Sequence, residues 1–246
     1  TYCPMVGTGT NDHIANVTVT PTGQAVMSNT TTQNGYTLYP TPVINLEIGS
    51  SGNQISVAKG WATGTTYSDG VTAWIDYDRD GFFTDAERIL ISASSTATPV
   101  TATFTVPSTG VYTGTYNTTM RVVLRRGGAP VMCSDPANGE VEDYYVKLRP
   151  CSNVAPSTPT FNTITHTSAN VNWVASANNL NYIVQYRPLG STTWISVNAS
   201  SLNGNPPLAL TGLTPATTYQ VQVSAVCNGT PGTPTAIATF TTRCDP

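Results

Sequence analysis

Short runs of β-branched and aromatic residues recur along the whole chain, separated by clusters of Gly, Pro, Asn and Ser. Many runs alternate apolar and polar residues with a period of two, which is the pattern of a half-buried β-strand. Charged residues make up only 9% of the chain, whereas Thr, Ser and Asn dominate its polar positions. This balance is typical of secreted β-rich proteins, so the sequence predicts an all-β fold.

The length of the chain and the spacing of these runs predict two β-sandwich domains in tandem. A chain of 246 residues can form two compact cores. A linker rich in Pro and Ser lies at 148–160, so we expect one domain at 1–149 and another at 150–246. Eight strand-like runs predict a jelly-roll-like sandwich for the first domain: 13–20, 42–49, 54–62, 71–77, 88–93, 100–107, 119–126 and 141–148.

Charge and composition argue against several classes of function. The formal net charge is −3, and the densest basic stretch, at 121–126, alternates like a strand, so no nucleic acid partner is expected. No apolar run is long enough for membrane insertion. The two histidines, His13 and His166, fall in different predicted domains, and neither H-E-x-x-H nor G-x-S-x-G occurs. We therefore expect that the chain is not an enzyme.

One acidic segment has the spacing of a calcium loop. Residues 76–87 read D-x-D-x-D-G-x5-E, and Gly81 permits the tight turn that lets the carboxylates converge. Carboxylates so close together repel one another without a cation, and Ca²⁺ takes roughly six to eight oxygen ligands. The predicted ligands are Asp76, Asp78, Asp80, the Phe82 carbonyl, and either Asp85 or Glu87.

The flanks of this segment determine what a bound calcium ion would do. A calcium sensor moves two amphipathic helices, but both flanks here are strand-like. The segment is therefore expected to stabilise a connection between strands. The alternative is an acidic turn exposed to solvent.

Four segments of the first domain, at 2–19, 73–89, 119–124 and 133–146, together resemble the GEVED domain, whose name-giving motif stands at Gly139 to Asp143. The resemblance implies a non-catalytic β-sandwich from secreted multidomain proteins of Bacteroidetes-type bacteria. Such domains are often attached to peptidases or adhesins and followed by type III repeats.

The strand with this motif carries three acids close together, Glu140, Glu142 and Asp143. One interpretation pairs Glu142 with Arg121 or Arg125 on a neighbouring strand, while Asp143 or Glu140 supports the calcium loop. The alternative leaves all three acids in solvent at the start of the strand.

Residues 151–242 resemble a fibronectin type III domain, which implies a seven-stranded sandwich. The resemblance is strongest around Leu213, Pro215 and Tyr219, at the corner between its fifth and sixth strands. Tyr219 would bury its ring and bind upstream backbone through its hydroxyl, while Trp173 and Tyr186 fill the core.

The five cysteines are scattered without a C-x-x-C pair, which favours disulfides and an extracellular location. Spacing alone does not choose the pairs. In a type III domain the first strand begins where the sixth ends, so the resemblance implies a Cys151–Cys227 disulfide. Cys3 would then pair with Cys133. We interpret Cys244 as the leading cysteine of a further repeat that starts at 244–246.

These observations predict a non-catalytic, calcium-stabilised structural or adhesive module of a larger secreted or cell-surface protein, such as a filament, stalk or adhesin. The alternative is an accessory substrate-binding region of a secreted hydrolase such as a metallopeptidase. Expected partners are an extracellular protein or polysaccharide, or neighbouring copies in a surface assembly. Trp194 and the loop at 65–70 are candidate contacts, because exposed aromatic rings stack on sugars.

Overall fold

The computed structural model describes residues 1–175, 179, 181–200 and 207–244. The chain divides into two compact units, Thr1–Arg149 and Pro150–Pro246. The described residues contain β-strands and one short 3-10 helix, Asp85–Glu87, but no α-helix. The all-β prediction with tandem β-sandwiches is confirmed.

Unit 1, Thr1–Arg149, is built from two β-sheets that enclose one hydrophobic core. The sheets have the strand orders β2-β1-β4-β7 and β3-β9-β8-β5-β6. Neighbouring strands are antiparallel except β3 and β9, which run parallel. The strands are β1 (Asp12–Thr20), β2 (Met27–Thr30), β3 (Tyr36–Glu47), β4 (Asn53–Trp61), β5 (Asp69–Ile75), β6 (Arg88–Ile91), β7 (Val100–Phe104), β8 (Thr118–Arg126) and β9 (Gly139–Arg149).

Sequence patterning missed β2 and the first half of β3. β2 has only four residues and is mostly polar, so it has no measurable period. Pro40 and Pro42 interrupt β3, and its pairing with β9 shifts register between Tyr39 and Ile44. Proline cannot donate a ladder hydrogen bond, which is why this stretch resembles a loop in sequence.

Unit 2, Pro150–Pro246, contains a three-stranded sheet, β10-β11-β14, and a second sheet in which β15 pairs with β12. The other edge of β15 pairs with both β16 and β17, so these two segments act as one interrupted strand. The described strands are β10 (Thr160–Asn162), β11 (Ser168–Asn172), β12 (Asn181–Pro188), β13 (Ile195–Ser200), β14 (Leu208–Thr211), β15 (Thr218–Cys227), β16 (Thr230–Pro234) and β17 (Ala238–Thr241).

The core of unit 2 is organised around the ring of Tyr219, which is buried at the start of β15. Its hydroxyl accepts a hydrogen bond of 2.9 Å from the backbone amide of Thr214, which is the geometry of a tyrosine corner. Trp173 is also buried, and Tyr186 packs against the same core.

Each unit contains one disulfide. Cys3 is bonded to Cys133 in unit 1 and Cys151 to Cys227 in unit 2, with sequence separations of 130 and 76 residues. Cys244 is free and exposed. The predicted start of a further repeat at 244–246 lies mostly outside the described residues.

Two glutamates of β9 are buried in the core of unit 1. Glu140 Oε2 accepts a hydrogen bond of 2.8 Å from the Ile14 amide, and Glu142 Oε2 accepts one of 2.6 Å from the Tyr144 hydroxyl. Among the described residues, neither Oε1 atom has a hydrogen-bond partner. Burial raises the pKa of Glu140 to about 8 and the pKa of Glu142 to about 7. Both side chains therefore retain protons well above the usual range of a carboxyl group.

We expect the thermal stability of the chain to fall as the pH rises from about 5 to about 8. A carboxyl whose pKa is higher in the folded state stabilises fully below its ordinary value of 4.5, and this stability is lost as pH rises through about 8. The double variant Glu140→Gln with Glu142→Gln should flatten this pH dependence of stability. The two carboxyls together contribute on the order of a few kcal/mol to the pH-dependent part of the free energy of unfolding. Thermal unfolding at a series of pH values measures the effect.

Asp135→Asn is the matched control, because Asp135 is exposed. This variant should keep the wild-type dependence of thermal stability on pH. A double variant that keeps the wild-type slope would contradict this assignment.

Candidate metal centre and adjoining cleft

The three aspartates of the acidic segment converge in the structure. They lie in the connection that follows β5, whose seven residues are all buried. Asp76 is buried, whereas Asp78 and Asp80 are exposed. One carboxylate oxygen from each lies within 4.8 Å of the others. A rigid strand thus places the first carboxylate, and the loop returns the other two to it.

Hydrogen bonds to the carboxylates shape this loop. The Asp80 amide donates to Asp76 Oδ1 at 3.2 Å and to Asp78 Oδ1 at 3.1 Å, and the Gly81 amide donates to Asp76 Oδ2 at 3.1 Å. Arg79 and Gly81 adopt positive φ angles of 61° and 89°, which turn the chain around the acids. Glycine adopts such angles without steric cost, which explains its place at this turn.

Burial makes Asp76 the electrostatic centre of the loop. Desolvation raises the pKa of the Asp76 carboxyl, although the Tyr2 hydroxyl donates to its Oδ2 at 2.7 Å. Burial likewise raises the pKa of Tyr2 to about 12. A buried carboxylate beside two further acids is a group whose charge a cation would stabilise.

The structure places Asp85 and Glu87, the alternative predicted ligands, outside the aspartate cluster. Asp85 is exposed and pairs with Arg88 at 2.6 Å. Glu87 accepts hydrogen bonds from the Tyr77 amide at 2.8 Å and from the Thr84 amide and hydroxyl at 2.9 Å. Both Glu87 oxygens therefore hold the loop backbone, and burial raises the pKa of this carboxyl.

The donor chemistry of the cluster fits a hard divalent cation. All of its donors are carboxylate oxygens, without the His or Cys ligands that zinc prefers. The Phe82 amide donates to Asp80 Oδ1 at 2.8 Å, which fixes the residue whose carbonyl is a predicted ligand. Ca²⁺ accepts irregular oxygen geometry more readily than Mg²⁺, so a loop with two exposed carboxylates would suit Ca²⁺ better.

A buried ion pair lies on the opposite face of β9 from the two glutamates. Arg121 Nε donates to Asp143 Oδ1 at 2.7 Å, and a second guanidinium nitrogen donates to Oδ2 at 2.8 Å. The predicted pairing of Glu142 with Arg121 or Arg125 is therefore wrong, because Glu142 faces the core, where Tyr144 supplies its hydrogen bond, while Arg121 pairs with Asp143. The alternative that leaves all three acids in solvent is also wrong, because all three are buried. Asp143 also accepts a hydrogen bond of 3.1 Å from the Tyr36 hydroxyl.

A cleft of about 600 Å³ opens beside the loop, on the face of the sheet that carries the ion pair. Its lining combines aromatic rings with polar groups: Tyr36 and Leu38 of β3, Asp143 and Tyr145 of β9, and Tyr116 and Asn117 of the connection before β8. Arg79, Asp80 and Gly81 of the loop also line it. Isolated tyrosines far apart in sequence carry no periodic signal, so sequence reasoning missed this cleft.

The two contact regions expected from sequence are partly occupied by their own neighbours. The Arg187 guanidinium lies 4.1 Å from the ring centroid of Trp194, so it covers one face of the indole. In the loop at 65–70, the Arg126 guanidinium packs 3.4 Å from the ring centroid of Tyr67. Asp69 is buried and accepts a hydrogen bond of 2.8 Å from Trp61.

Two protein-family models match the chain, one within each of its two units. Residues 70–147 match the model of the GEVED domain, and residues 154–241 match that of the fibronectin type III domain. The chain therefore carries a GEVED domain followed by a fibronectin type III domain. No curated protein sequence matches the chain.

Solved structures similar to this chain include several fibronectin type III domains. The FN1–FN3 domains of chicken CNTN1 share 13% identity with a TM-score of 0.47, covering 88% of this chain and 70% of that one. The fn3 domain of human collagen alpha-1(XX) shares 27% identity with a TM-score of 0.34, covering 39% and 90%. The FN5 domain of Drosophila Lar shares 21% identity with a TM-score of 0.33, covering 38% and 100%.

These domain types are typical of extracellular structural or adhesive modules and are typically non-catalytic. Fibronectin type III domains commonly mediate protein interactions, and the two disulfides are consistent with an extracellular protein. Throughout the described residues, no helix is long and apolar enough to cross a membrane.

We expect Glu87→Ala to lower the free energy of unfolding by about 1–3 kcal/mol, because it leaves the buried Tyr77 amide without its acceptor. Asp85→Ala should change it by less than about 0.5 kcal/mol, because its ion pair with Arg88 lies at the surface. Denaturant unfolding of the full chain, with and without calcium, measures both effects.

In this interpretation Glu87→Ala destabilises the chain equally in calcium and in EDTA. A variant that unfolds like wild type in EDTA but no longer responds to calcium would instead identify Glu87 as a ligand.

Proposed function

We propose that the chain is a non-catalytic, calcium-stabilised structural or adhesive module of a larger secreted or cell-surface protein. The convergence of Asp76, Asp78 and Asp80 in a connection between two strands is the observation that carries this proposal. Their carboxylates match the hard oxygen ligands that Ca²⁺ takes in proteins.

The surroundings of Asp76 favour a structural role for the ion over a regulatory one. The Asp76 amide donates to the Thr119 carbonyl at 3.0 Å, and the Thr118 hydroxyl donates to the Asp76 carbonyl at 2.5 Å. These bonds anchor the loop to β8, which also pairs with β5. The flanking elements are strands within one sheet, so ion binding has no helix pair to reorient.

A calcium ion bound here would neutralise the repulsion among the three carboxylates. A loop ordered in this way would also order the neighbouring connection before β8. The Arg79 guanidinium lies 5.1 Å from the ring centroids of both Tyr112 and Tyr116, and its Nε donates to the Asn117 carbonyl at 3.0 Å. Calcium would therefore stabilise two surface loops together.

Other features of the chain also support a robust extracellular module. Each unit has a disulfide, and in the chain-entropy model loops of this length stabilise a domain by about 4 kcal/mol or more. Unit 2 adds its tyrosine corner. The order of a GEVED domain before a type III domain favours a position within a longer multidomain protein.

We expect calcium to raise the melting temperature of the chain, because a ligand that binds only the folded state stabilises it by about 2.7 kcal/mol at a hundredfold excess over Kd. Asp80→Asn and Asp78→Asn should remove most of this shift, because each neutralises one ligand at an exposed position. Scanning calorimetry in calcium and in EDTA measures the shift, and isothermal titration measures binding.

Asp135→Asn removes a charge outside the cluster and should keep the full shift. Equal melting temperatures of the wild-type chain in calcium and EDTA would disprove the calcium proposal. A large change in near-UV circular dichroism on chelation would show that the ion changes the conformation, which would contradict a purely structural role.

A further inference from the structure

We propose that the cleft beside the acidic loop, lined by Tyr36, Leu38, Tyr116, Asn117, Asp143 and Tyr145, binds a neutral carbohydrate. This inference deepens the adhesive role proposed above and assigns it a ligand class and a location. It rests on the aromatic surface of the cleft, the charge pairing within it, and the way its polar groups are held.

The cleft exposes apolar surface where a folded domain would normally bury it. Tyr116 is 67% exposed, Leu38 40% and Tyr36 39%. These side chains come from two segments far apart in sequence that meet at one concavity. Flat tyrosine rings offer faces for the C–H groups of a sugar ring, and the Tyr36 hydroxyl, which donates to Asp143, can still accept a hydrogen bond.

The charged side chains that line the cleft carry both signs, with Asp80 and Asp143 negative and Arg79 positive. Asp143 accepts two hydrogen bonds from Arg121 and one from Tyr36. The Arg79 guanidinium lies against Tyr112 and Tyr116, and its Nε is bonded to a backbone carbonyl. A charged peptide or polyanion needs a complementary surface of one sign of charge, which this mixed lining does not supply. A neutral ligand rich in hydroxyl groups does not need such a surface.

The polar groups are also held in position before any ligand binds. Asp143 is fixed by a bidentate pair and is itself buried, and the Tyr36 hydroxyl is fixed by Asp143. The backbone carbonyl of Asn117 is fixed by Arg79. Such pre-organisation lowers the ordering cost of binding. The volume of about 600 Å³ falls within the usual range of small-ligand sites.

The test uses the full 246-residue chain against an array of neutral oligosaccharides with varied backbones, followed by isothermal titration of the strongest binder. Heparin, polygalacturonate and gelatin serve as charged and protein probes. Tyr116→Ala should weaken binding by about fivefold to tenfold or more, whereas Tyr116→Phe, which keeps the ring, should stay within about twofold of wild type. Val131→Ala, an exposed position outside the cleft lining, should bind like wild type.

The proposal is overturned if no neutral oligosaccharide on the array binds, or if Tyr116→Ala binds as tightly as wild type. It is also overturned if binding is confined to gelatin or to the charged polymers. Melting temperatures in calcium separate the two proposals, because Tyr116→Ala should retain the calcium shift. A normal calcium shift without any sugar binding would remove this inference and leave the calcium-stabilised module intact.

Discussion

The buried ion pair between Arg121 and Asp143 is the constraint around which unit 1 is organised. A guanidinium away from water requires a hydrogen-bond partner for each of its nitrogens, and breaking such a pair leaves an uncompensated buried charge. Arg121 meets this requirement with Asp143 and with the Cys3 carbonyl, which accepts a hydrogen bond of 2.7 Å. The N-terminal segment is thereby held against the sheet, so Tyr2 can reach Asp76 and Cys3 can reach Cys133. The acidic loop, the disulfide and the cleft each contact this segment.

The sequence motif of β9 can now be explained residue by residue. Gly139 has a φ of 149°, and a Cβ there would lie 1.9 Å from the Leu124 carbonyl oxygen, so only glycine fits. Glu140 and Glu142 face the core, whereas Val141 and Asp143 face the opposite side of the sheet. One strand therefore supplies to the interior two carboxyls whose pKa is raised by burial, and to the cleft one carboxyl group that is paired with Arg121. Period-two alternation separates the two environments.

Features determined by local sequence were predictable, and those determined by long-range contacts were not. The strands of alternating pattern, the turn at Gly81 and the corner at Tyr219 follow from residues within a few positions of one another. The choice of Asp143 over Glu142 as the partner of Arg121 depends on which face of β9 meets the core. The role of Glu87 depends on backbone amides that a sequence motif does not specify. Tyr116 joins the cleft only because β8 and β9 are paired.

The positions of the disulfides determine how the chain would bear tension along its length. In unit 1, residues between Cys3 and Cys133 lie within a covalently closed loop, so a pull on the chain cannot extend them. Force would pass through the sulfur atoms and enter β9, which is hydrogen-bonded to β3 on one edge and β8 on the other. In unit 2 the Cys151–Cys227 bond protects most strands in the same way and leaves the load on β16 and β17. Each extended residue lengthens the chain by about 3.4 Å. Because the disulfides exclude the residues of their closed loops from this lengthening, extension is limited to short segments while the rest of each fold stays intact.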